Sequence, residues 1–256
     1  MSREPLVLLH GVADTPRTWE LIRPRLEQHH EVLAPTLLGH HGGPAYAGEA
    51  TPAAIADQLE ADLDAAGIDT AHIVGNSLGG AMALELAARG RARTVVALAP
   101  AGGWAEDDPD RAGVVDFFRR SQELVAKVAP HADAIAGTPE GRARALAFLV
   151  EHPDHVPAGL VAHQIAAAAD CAIVMPLVER TFAEDWDALS GPVEVPVRIV
   201  WGTADKVLRW PTAAVRWREL LPGADWVEME GVGHLPQLDD PPGTAELILS
   251  WCATSR

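Results

Sequence analysis

The chain has 256 residues, 48% of them hydrophobic, enough for one large α/β domain or a core with an insertion and too apolar for a disordered chain. Lys and Arg number 20 against 36 Asp and Glu, a formal net charge of −16, which argues against nucleic acid and anionic membrane surfaces as partners because both need basic patches. Two cysteines, Cys171 and Cys252, are too few for a disulfide framework or a zinc site and read as small buried hydrophobes.

Leu6 to Leu9 is an unbroken apolar run ending at His10-Gly11, the pattern of a strand buried on both faces. So little chain precedes it that no leader is expected. No window of about 18 apolar residues is free of charge or Pro, so no membrane span is expected either, and a cytoplasmic location follows. Trp19 to Gln28 carries apolar residues at helical spacing, with Pro24 as a kink point. Val32 to Ala34 reads as a second strand, followed by a Gly/His/Pro loop to Pro44. Thr51-Pro52 is a capping hydroxyl followed by Pro at the first helical position, and Ile55, Leu59 and Leu63 mark one face of the helix that runs to Gly67.

Ala71 to Val74 is the next strand, and an Ala/Leu-rich helix runs from Leu78 to about Arg89. Thr94 to Leu98, Val197 to Trp201 and Trp226 to Met229 are further strands, with helices over Thr212 to Leu220 and Pro242 to Trp251. Such alternation predicts a parallel sheet of about six strands covered by helices on both faces. Trp104 to Gly191 breaks the alternation, with helical stretches around Leu124, Ala145 to Val150 and Leu160 to Val178 and no convincing strand. That interval is too long for a plain loop and predicts a helical insertion. The division expected is a core of residues 1–103 and 192–256 and an insertion of residues 104–191.

Between a strand and a helix stands Gly75-Asn76-Ser77-Leu78-Gly79, which fits the G-x-S-x-G nucleophile elbow in the context that motif requires. Its glycines avoid clashes that any Cβ would cause while the turn presents the Ser77 hydroxyl at the sheet edge. A serine needs a base, and His234 lies in a Gly-rich loop, Gly231-Val232-Gly233-His234, after the last strand. Asp205, past the Val197 to Trp201 strand, is the orienting acid in the chain order Ser, Asp, His, with Glu106 and Asp107 as its competitors. The backbone N–H groups of Leu78 and of Val12, after the first strand, are the expected oxyanion donors. His10 reads as a brace for that loop.

These segments, LLHGVADTPRTW, HIVGNSLGGAMALELA, VRIVWGTADKV and GVGHLPQLDDP among them, resemble the α/β-hydrolase fold family, in its branch with a His-Gly oxyanion loop and a helical cap. The resemblance covers nearly all of the chain except the insertion, which falls where that family carries its cap. It departs at the start, where the family's leading antiparallel strands have no counterpart, so that all strands are expected parallel. The resemblance implies a serine hydrolase cleaving a carboxylester, thioester or lactone through an acyl-enzyme on Ser77. Within the same fold, a C–C bond hydrolase, a lyase or a non-catalytic binding protein stays open. The expected partner is a small-molecule substrate, with no cofactor and no metal. Phe117, Phe118 and Met175 are the expected substrate contacts in the cap, which should set substrate choice while leaving the chemistry of Ser77 and His234 alone.

Overall fold

The computed structural model describes residues 3–46, 48–105, 108–183 and 189–255. Its six strands are β1 (Pro5–Leu9), β2 (Glu31–Leu33), β3 (Ala71–Asn76), β4 (Ala92–Leu98), β5 (Val197–Gly202) and β6 (Asp225–Met229). They form one sheet in the order β2-β1-β3-β4-β5-β6, and every neighbouring pair is parallel. Burial explains the composition of each strand. All six residues of β3 are buried, whereas the edge strands β2 and β6 keep partly exposed positions such as Glu31 and Glu228. Helices must therefore cover both faces.

One face carries α2 (Pro52–Ala65) and α3 (Leu78–Ala88), whose residues share an apolar cluster with Val7, Ile73 and Val95. Thr51 Oγ1 accepts the Ala54 N–H at 3.1 Å and Pro52 opens the helix, as the sequence predicts. Most of α3 is Ala, Gly and Leu with every position from Leu78 to Ala87 buried, so it lies close against the sheet. The other face is covered by Trp19, Ile22, Leu26 and the last helix, α11 (Pro241–Cys252).

After β1 the chain passes to β2 on one side, then returns through α2 to β3 on the other. Loops following β1 and β3 therefore diverge at a switch in strand order, where open parallel sheets place their ligands.

Between Trp19 and Gln28 the helical spacing resolves into two short pieces, a 3-10 turn at Pro16–Trp19 and α1 (Arg23–Leu26). Pro24 is the reason: lacking an N–H, it fits only the opening turn of a helix, so α1 restarts at Arg23.

Between β4 and β5 come α4 (Pro109–Val128), α5 (Ala132–Ala136), α6 (Pro139–Leu146), α7 (Ala158–Ala169) and α8 (Val174–Ala183). The stretch from Leu160 to Val178 is thus not one helix, since α7 and α8 meet at a bend of 66°. Pro176 accounts for the break, because its ring would collide with the carbonyl four residues back; it is tolerated in the first turn of a new helix. Among the described residues no single helix is long and apolar enough to cross a membrane. The inserted helices hold an apolar cluster of their own, with Leu146, Val150, Val156 and Leu160, and that cluster also takes in Leu235 and Leu238. Those two residues flank the start of α10 (Pro236–Asp239), a short helix not foreseen from the sequence. Both cysteines are buried.

After β5, a 3-10 turn at Thr212–Ala214 and α9 (Val215–Leu220) replace the single helix expected over Thr212 to Leu220. Trp217 of α9 is fully buried and donates from Nε1 to the Pro100 carbonyl at 3.1 Å, tying the end of the sheet to the start of the insertion.

Candidate active site

Ser77 joins β3 to α3 with φ of 55° and ψ of −118°, a backbone conformation an L-residue rarely holds. The surroundings over-determine it. Its N–H donates to the Leu98 carbonyl at 2.9 Å, while its own carbonyl accepts from Ala81 at 3.1 Å and Ala101 at 3.0 Å. A Cβ at Gly75 would overlap the Gly79 carbonyl, and one at Gly79 would overlap the Leu9 carbonyl. The glycines of the elbow are thus required by close packing of β1, β3 and α3. Leu78 is the first residue of α3, so its N–H has no acceptor within the helix.

The loop after β1 reaches the same place. A Cβ on Gly11 would stand 3.3 Å from the Ser77 Cβ, and Val12 lines the cavity above the serine. His10 braces this loop: its Nδ1 lies 2.8 Å from the Gly11 carbonyl and its Nε2 accepts the Leu37 N–H at 3.1 Å. Accepting at Nε2 requires the neutral ring, and burial, helped by the nearby His40, pushes the His10 pKa down to about 3.

Asn76 links the elbow to the third loop, donating from Nδ2 to the His234 carbonyl at 3.0 Å and to the Leu98 carbonyl at 3.2 Å. It sits inside the x of G-x-S-x-G, where the motif alone says nothing about it. His234 Nδ1 lies 2.7 Å from Asp205 Oδ2, with both side chains buried. Asp205 Oδ1 meanwhile accepts the backbone N–H groups of Val207 and Leu208, each at 2.8 Å. Its two oxygens are therefore committed to different partners, and the carboxylate cannot turn away from the imidazole. The loops bearing Asp205 and His234 are held together by Ala204 N–H to the Val232 carbonyl at 3.0 Å and Gly231 N–H to Thr203 Oγ1 at 2.9 Å. The structure thus brings Asp205 and His234 into contact and, through Asn76, sets the His234 backbone beside Ser77. Glu106 and Asp107, the competing acids, lie outside the described residues.

A pocket of about 560 Å³, open in part to solvent, lies over Ser77. Val12, Leu78, Trp104, Phe118, Leu177 and Val178 are among the residues that line it. Its described lining is apolar apart from the hydroxyls of Ser77 and Thr181 and the indole N–H of Trp104, so the pocket suits an apolar group. Phe118 lines it, while Phe117 and Met175 are not among its described lining residues. Helical geometry accounts for the difference. Val114 and Phe118 are one turn apart and share a face of α4, while Phe117 is turned about 100° away to pack on Phe118 and Phe148. On α8 the cavity face is Leu177, Val178 and Thr181, which leaves Met175 on another side.

Asp14 is a buried carboxyl of this region that the sequence does not single out. Burial raises its pKa, opposed by hydrogen bonds from the Thr15 N–H, Thr18 and Gln164 and by the nearby His234. Among the described residues no group of three or more His, Cys, Asp or Glu side chains is arranged to hold a metal ion.

Comparison with known proteins adds to this geometry. The family model described as "Alpha/beta hydrolase family" matches residues 6–247. Epoxide hydrolase EphH of Mycobacterium tuberculosis is 32% identical over 200 residues, covering 78% of this chain and 94% of the relative. The pimeloyl-[acyl-carrier protein] methyl ester esterase of Aromatoleum aromaticum is 29% identical over 97% of this chain and 98% of its own length. Among solved structures, carboxylesterase CesB from Bacillus subtilis superposes with a TM-score of 0.71 at 20% identity, covering 98% of this chain and 84% of that one.

Proposed function

The chain belongs to the alpha/beta hydrolase family and is a hydrolase by that membership, and from this premise we propose that it is a serine hydrolase of ester-like bonds. In this reading Ser77 is the nucleophile, His234 the base and Asp205 the orienting acid. The contact that carries it is the 2.7 Å approach of His234 Nδ1 to an Asp205 carboxylate whose other oxygen is locked by two backbone N–H groups. It fixes the imidazole with its proton on Nδ1, leaving Nε2 free to accept.

The steps follow from that tautomer. As Ser77 Oγ bonds to the acyl carbon, its proton passes to His234 Nε2 and the carbonyl π-electrons move onto oxygen. The Leu78 N–H at the start of α3 and the Val12 N–H serve in this reading as donors to the developing oxyanion. Collapse breaks the bond to the leaving group, which takes the proton from His234, and Ser77 is left acylated. Water then attacks the acyl carbon, giving its proton to His234, and the acid leaves as Ser77 recovers its own.

Residues 104–191 act as a cap on a core of 1–103 and 192–256, and the apolar cavity takes the acyl group. The relative named as a methyl ester esterase, similar along nearly its whole length, supports a carboxylester over the thioester and lactone alternatives. The test is a panel of p-nitrophenyl esters of increasing chain length, with an epoxide such as styrene oxide run beside them because one relative is named an epoxide hydrolase. Ester turnover that is lost in Ser77→Ala is expected. Turnover of the epoxide with none of any ester would overturn the reading.

A further inference from the structure

Asp239 has no exposed side-chain area and lies on α10, just past His234. Its carboxylate is surrounded by donors from two distant parts of the chain. Oδ2 accepts the Gly233 N–H at 2.6 Å and the Glu151 N–H at 3.0 Å. Oδ1 accepts the His152 N–H at 2.7 Å and lies 3.0 Å from His152 Nδ1. One of these backbone donors immediately precedes His234, and the other two belong to the inserted segment after α6.

The same junction is closed by further contacts. Leu235 N–H donates to the Leu149 carbonyl at 3.0 Å. A Cβ on Gly233 would stand 2.8 Å from the Leu149 oxygen, so the insertion's backbone presses directly on the loop that carries His234. Lys206, next to Asp205, donates to the Ala147 carbonyl at 3.2 Å and pairs with Glu151. Leu235 and Leu238 share the apolar cluster of the inserted helices. The cap is therefore fastened to the loops of both His234 and Asp205, and most firmly through one buried carboxylate.

We infer that Asp239 is a positioning residue for His234, registering the base on the inserted helices so that the cap governs proton transfer as well as substrate choice. This rests on His234 being the base of the proposed serine hydrolase. It also replaces the expectation that the cap leaves the chemistry of Ser77 and His234 alone. The buried Gly233 N–H and the partly buried Glu151 and His152 N–H groups facing Asp239 need an acceptor, and the carboxylate can serve all of them at once. Without it the Gly233–His234 backbone loses its anchor, and small displacements of a base are costly to rate.

The experiment compares Asp239→Asn and Asp239→Glu with the wild-type protein, each confirmed as folded by circular dichroism and assayed on one p-nitrophenyl ester well below its melting temperature. Asp239→Asn sets an amide N–H2 against a backbone N–H; Asp239→Glu keeps the charge and both acceptor atoms. In Asp239→Asn, kcat should fall roughly 10- to 100-fold with KM within threefold, and the pH midpoint of kcat/KM should move down as a negative charge near the imidazolium is lost. Asp239→Glu should recover part of the rate and keep the midpoint. Folded variants with wild-type kcat and midpoint would overturn the inference, as would a loss confined to KM. In the wild-type chain the Gly233 and His152 amides should be protected together against hydrogen exchange, and rapid exchange at Gly233 would likewise sink the idea without any variant. A wild-type protein inactive on every ester would instead refute the serine hydrolase reading, so the two failures stay distinct.

Discussion

Replacing Asp205 by Asn exchanges one carboxylate oxygen for an NH2 group and should disable the enzyme through the tautomer of His234. Asp205 Oδ1 accepts two backbone N–H groups at 2.8 Å, and Oδ2 faces His234 Nδ1 at 2.7 Å. In Asp205→Asn the side-chain oxygen must point at Val207 and Leu208. The reverse orientation would leave the buried Leu208 N–H and the partly buried Val207 N–H unsatisfied, at roughly 1–3 kcal/mol each at most. The amide N–H2 then points at His234 Nδ1 and donates to it, which moves the imidazole proton to Nε2. That is the atom that has to accept from Ser77. A preference of roughly 2–6 kcal/mol is a factor of about 30 to more than 10⁴ in tautomer population, at about 1.4 kcal/mol per factor of ten. The expected fall in kcat is therefore roughly 10³- to 10⁴-fold, with KM little changed because the cavity is untouched. Steady-state kinetics on a p-nitrophenyl ester, with a thermal melt to confirm folding, measures it. A folded Asp205→Asn with kcat within tenfold of wild type would refute the reasoning and return Glu106 and Asp107 as candidates.

The cavity lining predicts that Phe118→Ala shifts ester preference towards longer acyl chains, each methylene being worth about 1–3 kcal/mol, while Met175→Ala leaves the chain-length profile as it is. A profile that moves with Met175 and not with Phe118 would relocate the acyl site. Acid should destabilise the fold through His10, which is neutral and buried when folded, with a pKa of about 3 against an ordinary imidazole value of 6.5. The unfolded chain binds this proton first, so the contribution is complete above pH 6.5 and is lost as pH falls towards 3, at about 1.4 kcal/mol per pH unit. Denaturant melts at pH 7 and pH 5 should show that loss in the wild-type protein and a shallower one in His10→Gln; equal slopes in both would refute it.

The central strands were legible because they are buried on both faces and read as short apolar runs such as Leu6 to Leu9 and Val197 to Trp201. The turn at Ser77 was legible because its two glycines answer a local steric demand, which a short motif can encode. What the sequence withheld depends on contacts between distant segments. Helical spacing marked Phe117, Phe118 and Met175 as apolar, but which face of α4 or α8 meets the cavity is decided by how those helices dock. The restart at Val174 follows from Pro176, a local cue masked by the apolar spacing that runs on through it. Asp239 could not be read as an anchor, because two of its backbone donors, Glu151 and His152, lie far along the chain. Asn76, likewise, gains its meaning only from the His234 carbonyl it reaches.

The most direct measurement is intact-mass spectrometry of the protein after incubation with a fluorophosphonate, followed by peptide mapping. A single adduct on Ser77, absent from Ser77→Ala and much slower to form in His234→Ala, is the predicted result. No adduct on the folded wild-type protein, or one that persists undiminished in Ser77→Ala, would contradict it.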